Sequence, residues 1–381
     1  MHSANHSSLP GNTNRGPESA DPPLREGQPA EAVNALSRAA KADPTNVDIL
    51  VRLGMTYRAG DRLDAARYVL ERAVRIAAGR HALARLTLAS VLELDRRPDL
   101  ALMHYILGLH EARAASRSVA ADTREPELAS LIEHAGRYAA RERRAWFERS
   151  LQRPDHGAGR RSGRIDQALA MYLDARAPVM ADPRQRPGIL YVPNIETMCF
   201  LDHARFAWLD RAAALLAPCS DEMDACIKAA GTSQVSVFQR GVLQYEARCH
   251  APRLQRALAE LPLARVPHDA PDVEIVELRA NSRVPLHYGH ANSRCRLILN
   301  CPDSAALQVI VGGEKRVLDP GQSLILDASF GVEYVNSDGR SARALAADVW
   351  HPGLSEAEQQ SLCVLIATAI DFDMRLQELN S

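Results

Sequence analysis

The sequence predicts an α+β multidomain chain in which an N-terminal α-helical solenoid is followed by a double-stranded β-helix, or jelly roll. Three observations predict it. Small and apolar residues recur in the N-terminal part with a period of about 34 residues, too long for one helix and right for a stacked helical hairpin. The stretch Pro183-Arg184-Gln185-Arg186-Pro187-Gly188 reads as a linker. Beyond Val273, short apolar runs alternate with turn signals such as Gly312-Gly313, Pro320-Gly321 and Ser337-Asp338-Gly339, the pattern of many short antiparallel strands.

Composition bounds what such a chain does. At 381 residues it exceeds the ~250–300 residues one core usually fills. With 46% hydrophobic and 24% charged residues it has the make-up of an ordinary globular protein. A formal net charge of −1 excludes nucleic acid as a default partner, because phosphate backbones call for a basic surface. No apolar run approaches the ~20 residues that span a bilayer, and the polar stretch from Met1 to Leu24 lacks the apolar centre of a secretory signal. The seven cysteines show no C-x-x-C spacing and read as reduced core or surface thiols. A cytoplasmic protein without a membrane or nucleic-acid partner is the expectation.

Taken in order, residues 1–24 read as a disordered tail, too poor in apolar side chains to offset the entropy of ordering. Residues 25–115 carry the repeat. In its clearest copy Leu50, Leu53, Gly54, Tyr57, Ala66, Leu70 and Ala73 follow tetratricopeptide spacing, with Gly54 and Ala66 small where two helices approach closely. Ala32, Leu36, Ala39 and Pro44 form a preceding half-repeat, and Leu88, Ala89, Leu92, Ala101 and Tyr105 a following copy one residue out of phase. Such repeats stack into a groove, which makes a protein or peptide the expected partner of this region. Arg52, Arg58 and Arg85 are candidates to meet an acidic segment there.

Residues 116–185 read as a helical connector. Pro154-Asp155-His156-Gly157-Ala158-Gly159 interrupts it, inside an arginine-rich stretch from Arg141 to Arg164 that is most simply a solvated helix face. Residues 186–365 hold the jelly roll. It begins with a short strand at Ile189–Pro193 and a helix over Phe206–Ala217 stopped by Pro218. Strands follow at Val273–Leu278, Arg294–Leu299, Leu307–Val311, Ser323–Leu326, Val332–Val335 and Ala342–Val349. A helix from Ser355 to Leu379, opened by a Ser355-x-x-Glu358 capping box, closes the chain, so that 366–381 is its end.

Chemistry concentrates between His287 and Pro352. The runs are His287-Tyr-Gly-His-Ala-Asn292-Ser-Arg294-Cys-Arg296, Asp327-Ala-Ser-Phe330-Gly-Val332-Glu333, and Asp348-Val-Trp350-His351-Pro352. Together they resemble the catalytic domain of the aspartyl/asparaginyl β-hydroxylases, over roughly residues 186–365. The resemblance implies a cupin-like jelly roll, Fe(II) and 2-oxoglutarate as cofactors, and hydroxylation of Asp or Asn side chains. It places the first iron histidine at His287. The second iron histidine falls on Val332, the co-substrate arginine on Ala342, and a further histidine of the family on Ile298. A hydrocarbon donates no lone pair to iron, so the resemblance implies a degenerate site.

Some polar groups remain. Arg294, Arg296 and Asn300 share one face of a strand, so Arg296 and Arg294 are candidates for binding an anion such as 2-oxoglutarate or another small carboxylate through forked hydrogen bonds. His290 is a candidate second nitrogen beside His287, and also an ordinary surface or structural histidine. Arg343 neighbours the missing arginine but points to the opposite face unless a bulge intervenes. Three readings follow. One is a family member that has lost hydroxylation and keeps a pocket for a peptide or carboxylate. Another is an active dioxygenase with a rearranged metal shell. The third is an interaction scaffold built on the repeats.

Overall fold

The structure is a computed structural model that describes residues 29–118, 126–152, 163–173, 179–244 and 251–380. The expected tail at 1–24 and the expected break at 154–159 lie outside the described residues. The chain divides into two compact units, one ending at Tyr138 and one running from Ala139 to Leu379.

The first unit is a stack of helices: α1 (Pro29–Ala42), α2 (Val47–Ala59), α3 (Leu63–Ala77), α4 (Ala82–Leu94) and α5 (Pro98–Ser118), with the start of α6 (Pro126–Leu151). Each helix packs on the next, and α2 also packs on α4, the nearest-neighbour pattern of a solenoid. Asn46 opens α2 by accepting a hydrogen bond from the Ile49 N–H at 3.2 Å, and α3 ends at Ala78 in the left-handed region. The repeat positions Leu50, Leu53, Ala66, Leu70 and Ala73 are all buried. Gly54 is required by close approach: a Cβ there would sit 2.5 Å from Leu70 Cγ. Of the three arginines expected in the groove, only Arg52 is exposed. Arg85 is buried against Glu111, and Arg58 donates to Ser90 Oγ at 2.7 Å. Their charges are turned inward by packing that sequence alone does not reveal.

In the second unit the remainder of α6, α7 (Gly163–Leu173) and α11 (Glu356–Asn380) share an aromatic cluster in which Phe147 and Trp146 meet Phe372. The capping box forms as expected, with the Glu358 N–H donating to Ser355 Oγ and the Ser355 N–H donating to Glu358 Oε2. Three further helices, α8 (Leu209–Leu216), α9 (Ser220–Ala230) and α10 (Pro252–Ala259), cover one face of a sandwich.

Its strands are β1 (Phe200–Leu201), β2 (Gln234–Gln239), β3 (Val242–Leu243), β4 (Val273–Leu278), β5 (Ser282–His287), β6 (Arg294–Asn300), β7 (Leu307–Val311), β8 (Glu314–Leu318), β9 (Ser323–Leu326), β10 (Val332–Asn336) and β11 (Ala342–Trp350). Among the described residues they form a seven-stranded sheet, β1-β9-β6-β11-β4-β2-β3, and a four-stranded sheet, β5-β10-β7-β8. All pairs are antiparallel.

Alternation along the strands makes two cores from one sheet. On β6 and β11, Leu297, Leu299, Leu345, Ala347 and Val349 face the helices, while Ile298, Ala342, Ala344 and Ala346 face the smaller sheet. Asn300 points the second way and fastens the two sheets, donating to the Ala305 and Leu318 carbonyls at 2.9 Å each.

Two expectations change. Ile189–Pro193 is not a strand: only Leu190 bridges, to Ala291, and the segment is held by the Asn292 side chain, which accepts from the Val192 N–H and donates to its carbonyl. The helix expected over Phe206–Ala217 is shorter, flanked by 3₁₀ turns at His203–Arg205 and Ala217–Cys219. Asp202 caps the first, and Pro218, which cannot donate to a preceding carbonyl, ends the Leu209–Leu216 helix from within the second.

Candidate binding cleft

Where the β4 and β6 ends of the large sheet meet the β5 edge of the small one, the sandwich opens into a cleft of about 180 Å³. Its walls include His287, Tyr288 and His290, and its floor Val332, Tyr334 and Ala346. Its charged groups are Asp272, Glu274, Arg294, Arg296 and Asp348. The sequence motifs therefore do converge on one cavity, and the parity argument for Arg294 and Arg296 holds.

His287 is exposed at the end of edge strand β5, with Nδ1 3.1 Å from the Pro285 carbonyl and its ring 5.7 Å from Tyr334. Its register partner on β10 is Val332. A histidine at that position would stand beside His287. Val332 is 1% exposed and packs in the apolar cluster between the sheets. Ile298 and Ala342 lie in that same cluster, at 1% and 0% exposure. The positions where the resemblance implies a metal ligand, a co-substrate arginine and a further histidine are thus parts of one hydrocarbon core.

Nor do neighbouring residues replace them. The β11–β4 pairing runs without a bulge from Ala342 to Ala347. Arg343 therefore faces the helix side, where Asp224 and Asp303 hold it. His290 Nδ1 lies 3.6 Å from Asp269 Oδ1, and this partner raises its pKa against the opposing effect of burial. Glu333 alternates away from the interior, as its neighbour Val332 points in. Among the described residues no group of three or more His, Cys, Asp and Glu side chains is arranged to hold a metal ion. The donor set does not fit Fe(II), and the apolar packing of Ala342 and Ile298 does not fit 2-oxoglutarate.

The guanidiniums are not the open fork expected for a carboxylate. Arg296 Nη1 donates to Asp348 Oδ1 at 2.8 Å and to the Asp272 carbonyl at 3.1 Å, while Nη2 donates to Glu274 Oε2 at 2.5 Å. Burial works against its charge, but Asp348 and Glu274 outweigh burial and hold it protonated. Arg294 Nη2 lies 2.8 Å from Asp269 Oδ2, and Nη1 lies 3.6 Å from Asp348 Oδ2. The chain's own carboxylates occupy the places an anionic ligand would take.

These acids were the residues sequence reasoning missed. Asp272 and Glu274 alternate with Val273 and Ile275, so they face the cleft while the two aliphatics face the helices. A strand that puts charges on its inward face was the available signal. Asp348, read as part of a motif, is the cross-strand partner of Arg296. Other motif residues are structural. A Cβ on Gly289 would lie 2.8 Å from Ala328 Cβ. Buried His351 accepts from the Gly353 N–H at 3.0 Å, and burial drops its pKa to about 4. Cys199, Cys219, Cys226, Cys295 and Cys301 are buried and unpaired, their pKa values raised by burial.

Residues 220–352 match the profile of the aspartyl/asparaginyl β-hydroxylase family. They form an aspartyl/asparaginyl β-hydroxylase domain. Residues 24–90 match the tetratricopeptide repeat, so the chain joins repeats of a kind that generally mediates protein interactions to a β-hydroxylase domain. No curated protein matches the chain. Among solved structures, it is similar to the cupin domain of an XRE-family transcriptional regulator from Enterobacter cloacae, with 19% identity, TM-score 0.19, and coverage of 21% of this chain and 81% of that one. A sugar phosphate isomerase of the cupin superfamily from Silicibacter pomeroyi shows 17% identity, TM-score 0.20, and coverage of 34% and 64%. The cupin domain of Schizosaccharomyces pombe Cnp3 shows 11% identity, TM-score 0.19, and coverage of 21% and 56%. No helix of the described residues is long and apolar enough to cross a membrane.

Proposed function

We propose that the β-hydroxylase domain is a non-hydroxylating binding module, holding a peptide in the cleft beside His287 while the tetratricopeptide region engages a protein partner. The observation that carries this reading is the common fate of Val332, Ile298 and Ala342, all buried in one apolar cluster whose Val332 forms part of the cleft floor. One lost ligand leaves room for substitution by a neighbour. Three positions that carry hydrocarbon in place of two histidines and an arginine remove the donors that iron and its co-substrate need. The cleft itself stays open and retains polar walls, the features of a ligand-binding site.

A peptide fits better than a small carboxylate, because Arg294 and Arg296 are already engaged by Asp269, Glu274 and Asp348. To test the reading, the full chain is incubated with a randomised peptide library, Fe(II), 2-oxoglutarate and air, and both retained and free peptides are weighed by mass spectrometry. Peptides are retained and none gains an oxygen atom. A peptide that gains oxygen in the presence of wild-type chain but not of His287→Ala overturns it.

A further inference from the structure

Resting on that reading, we infer that the cleft takes the cationic side chain, Lys or Arg, of the bound peptide. The cleft wall carries the carboxylates Asp272, Glu274 and Asp348 against the guanidiniums Arg294 and Arg296, leaving one negative charge in surplus. The surplus can be located. Arg296 is divided between Asp348 and Glu274, and Arg294 between Asp348 and Asp269. Asp269, which does not line the cleft, is also the partner of His290. Asp272 is left over: its Oδ1 accepts the Arg240 backbone N–H at 2.6 Å, and among the described residues no side-chain cation pairs with it.

An unpaired carboxylate in a partly dry cavity is the place where a ligand cation gains most, since the site has already lost water that would otherwise satisfy it. Burial and, less strongly, the charge of Asp348 raise the pKa of Asp272 against the Arg240 N–H and the charges of Arg296 and Arg294, which is the cost a bound cation would relieve.

Other features of the wall suit a base carried on a peptide. Val276 and Val284 line the approach, and aliphatic walls accept the methylene stem of Lys or Arg while its head stays polar. Tyr288 and Tyr334 also line the cleft, rings of the kind that attract cations, and Arg186 already lies 5.8 Å from the centre of the Tyr288 ring. Exposed Leu286 lies beside Tyr288 at the Gly331 turn, an apolar rim for flanking residues.

The test uses the full chain and sets of capped hexapeptides, each randomised except for one central Arg, Lys, Gln or Asp, measured by fluorescence polarisation. Arg and Lys sets bind at least about tenfold more tightly than Gln and Asp sets. Asp272→Asn, which keeps an acceptor for the Arg240 N–H, brings the Arg set down to the level of the Gln set. On the wild type alone, N-acetyl-arginine amide displaces the bound Arg set and succinate at equal ionic strength does not. Binding of all sets without preference, or preference for Asp, overturns the charge assignment and leaves the binding module standing. No binding by any set overturns the binding module and this inference with it.

Discussion

His287 and Val332 are direct register partners across the antiparallel pair β5–β10. Side chains so placed have Cβ atoms ~4.5–5.5 Å apart, close enough for two imidazoles to share one metal ion. A single substitution therefore separates this β-hydroxylase domain from a two-histidine site. Val332→His should tighten binding of Co(II), used as a spectroscopic stand-in for Fe(II), by an order of magnitude or more. Without metal it should cost about 1–3 kcal/mol, because an imidazole enters an apolar cluster. Cobalt absorption and urea unfolding measure the two effects. A well-folded variant with no gain in affinity contradicts the placement of the second ligand.

Arg296 acts as the fastener of the cleft wall. Arg296→Met leaves Asp348 and Glu274, at 14% and 26% exposure, without their cation, and should cost about 3 kcal/mol, near the low end for a broken buried pair. Adding Asp348→Leu should recover part of that loss. Urea unfolding of the wild type, single and double variants checks the order. Thermal shifts with 2-oxoglutarate, succinate and aspartate should be absent in the wild type. Stabilisation by any of them that Arg296→Met abolishes would restore the anion reading.

Much of this was legible in sequence because the signals were local and periodic. Repeat spacing located Gly54 and Leu70 against each other, and the structure shows why no larger residue fits at 54. Turn residues marked the main strands, and the Ser355–Glu358 box marked the start of the last helix. Edge strands were less visible. Pro285 and Arg283 hide β5, and charged Glu314, Lys315 and Arg316 hide β8, because an edge needs no alternation and tolerates proline. At the site, strand parity aimed Arg294 and Arg296 correctly, but parity says nothing about what waits across the strand. Asp348 lies opposite Arg296 only once β6 and β11 are in register. That long-range pairing turned an apparent anion fork into an internal ion-pair network.

Asp327 should make stability depend on pH. It caps the 3₁₀ turn Ala328–Phe330 by accepting from the Ser329 N–H at 2.9 Å and accepts from Gln185 Nε2 at 3.2 Å. Burial nevertheless pushes its pKa up to about 6 from an ordinary 3.8. A carboxyl that binds its proton more tightly when folded stabilises the fold below its unfolded pKa. That contribution is lost as pH rises from about 4 through about 6, by roughly 3 kcal/mol at most. Asp327→Asn should remove this dependence. Gln185 Oε1, buried without a partner, can turn to accept from the new amide. Urea unfolding at pH 4.5 and 7 should show the wild type losing stability relative to the variant as pH rises. A constant difference contradicts this reading of Asp327.

Iron binding by the wild-type site separates a binding module from a hydroxylase. Anaerobic calorimetry of the full, untagged chain with Fe(II) at micromolar protein should show no saturable binding, and His287→Ala should leave the trace unchanged. Near-stoichiometric Fe(II) binding by the wild type that His287→Ala abolishes would contradict a β-hydroxylase domain turned from catalysis to binding.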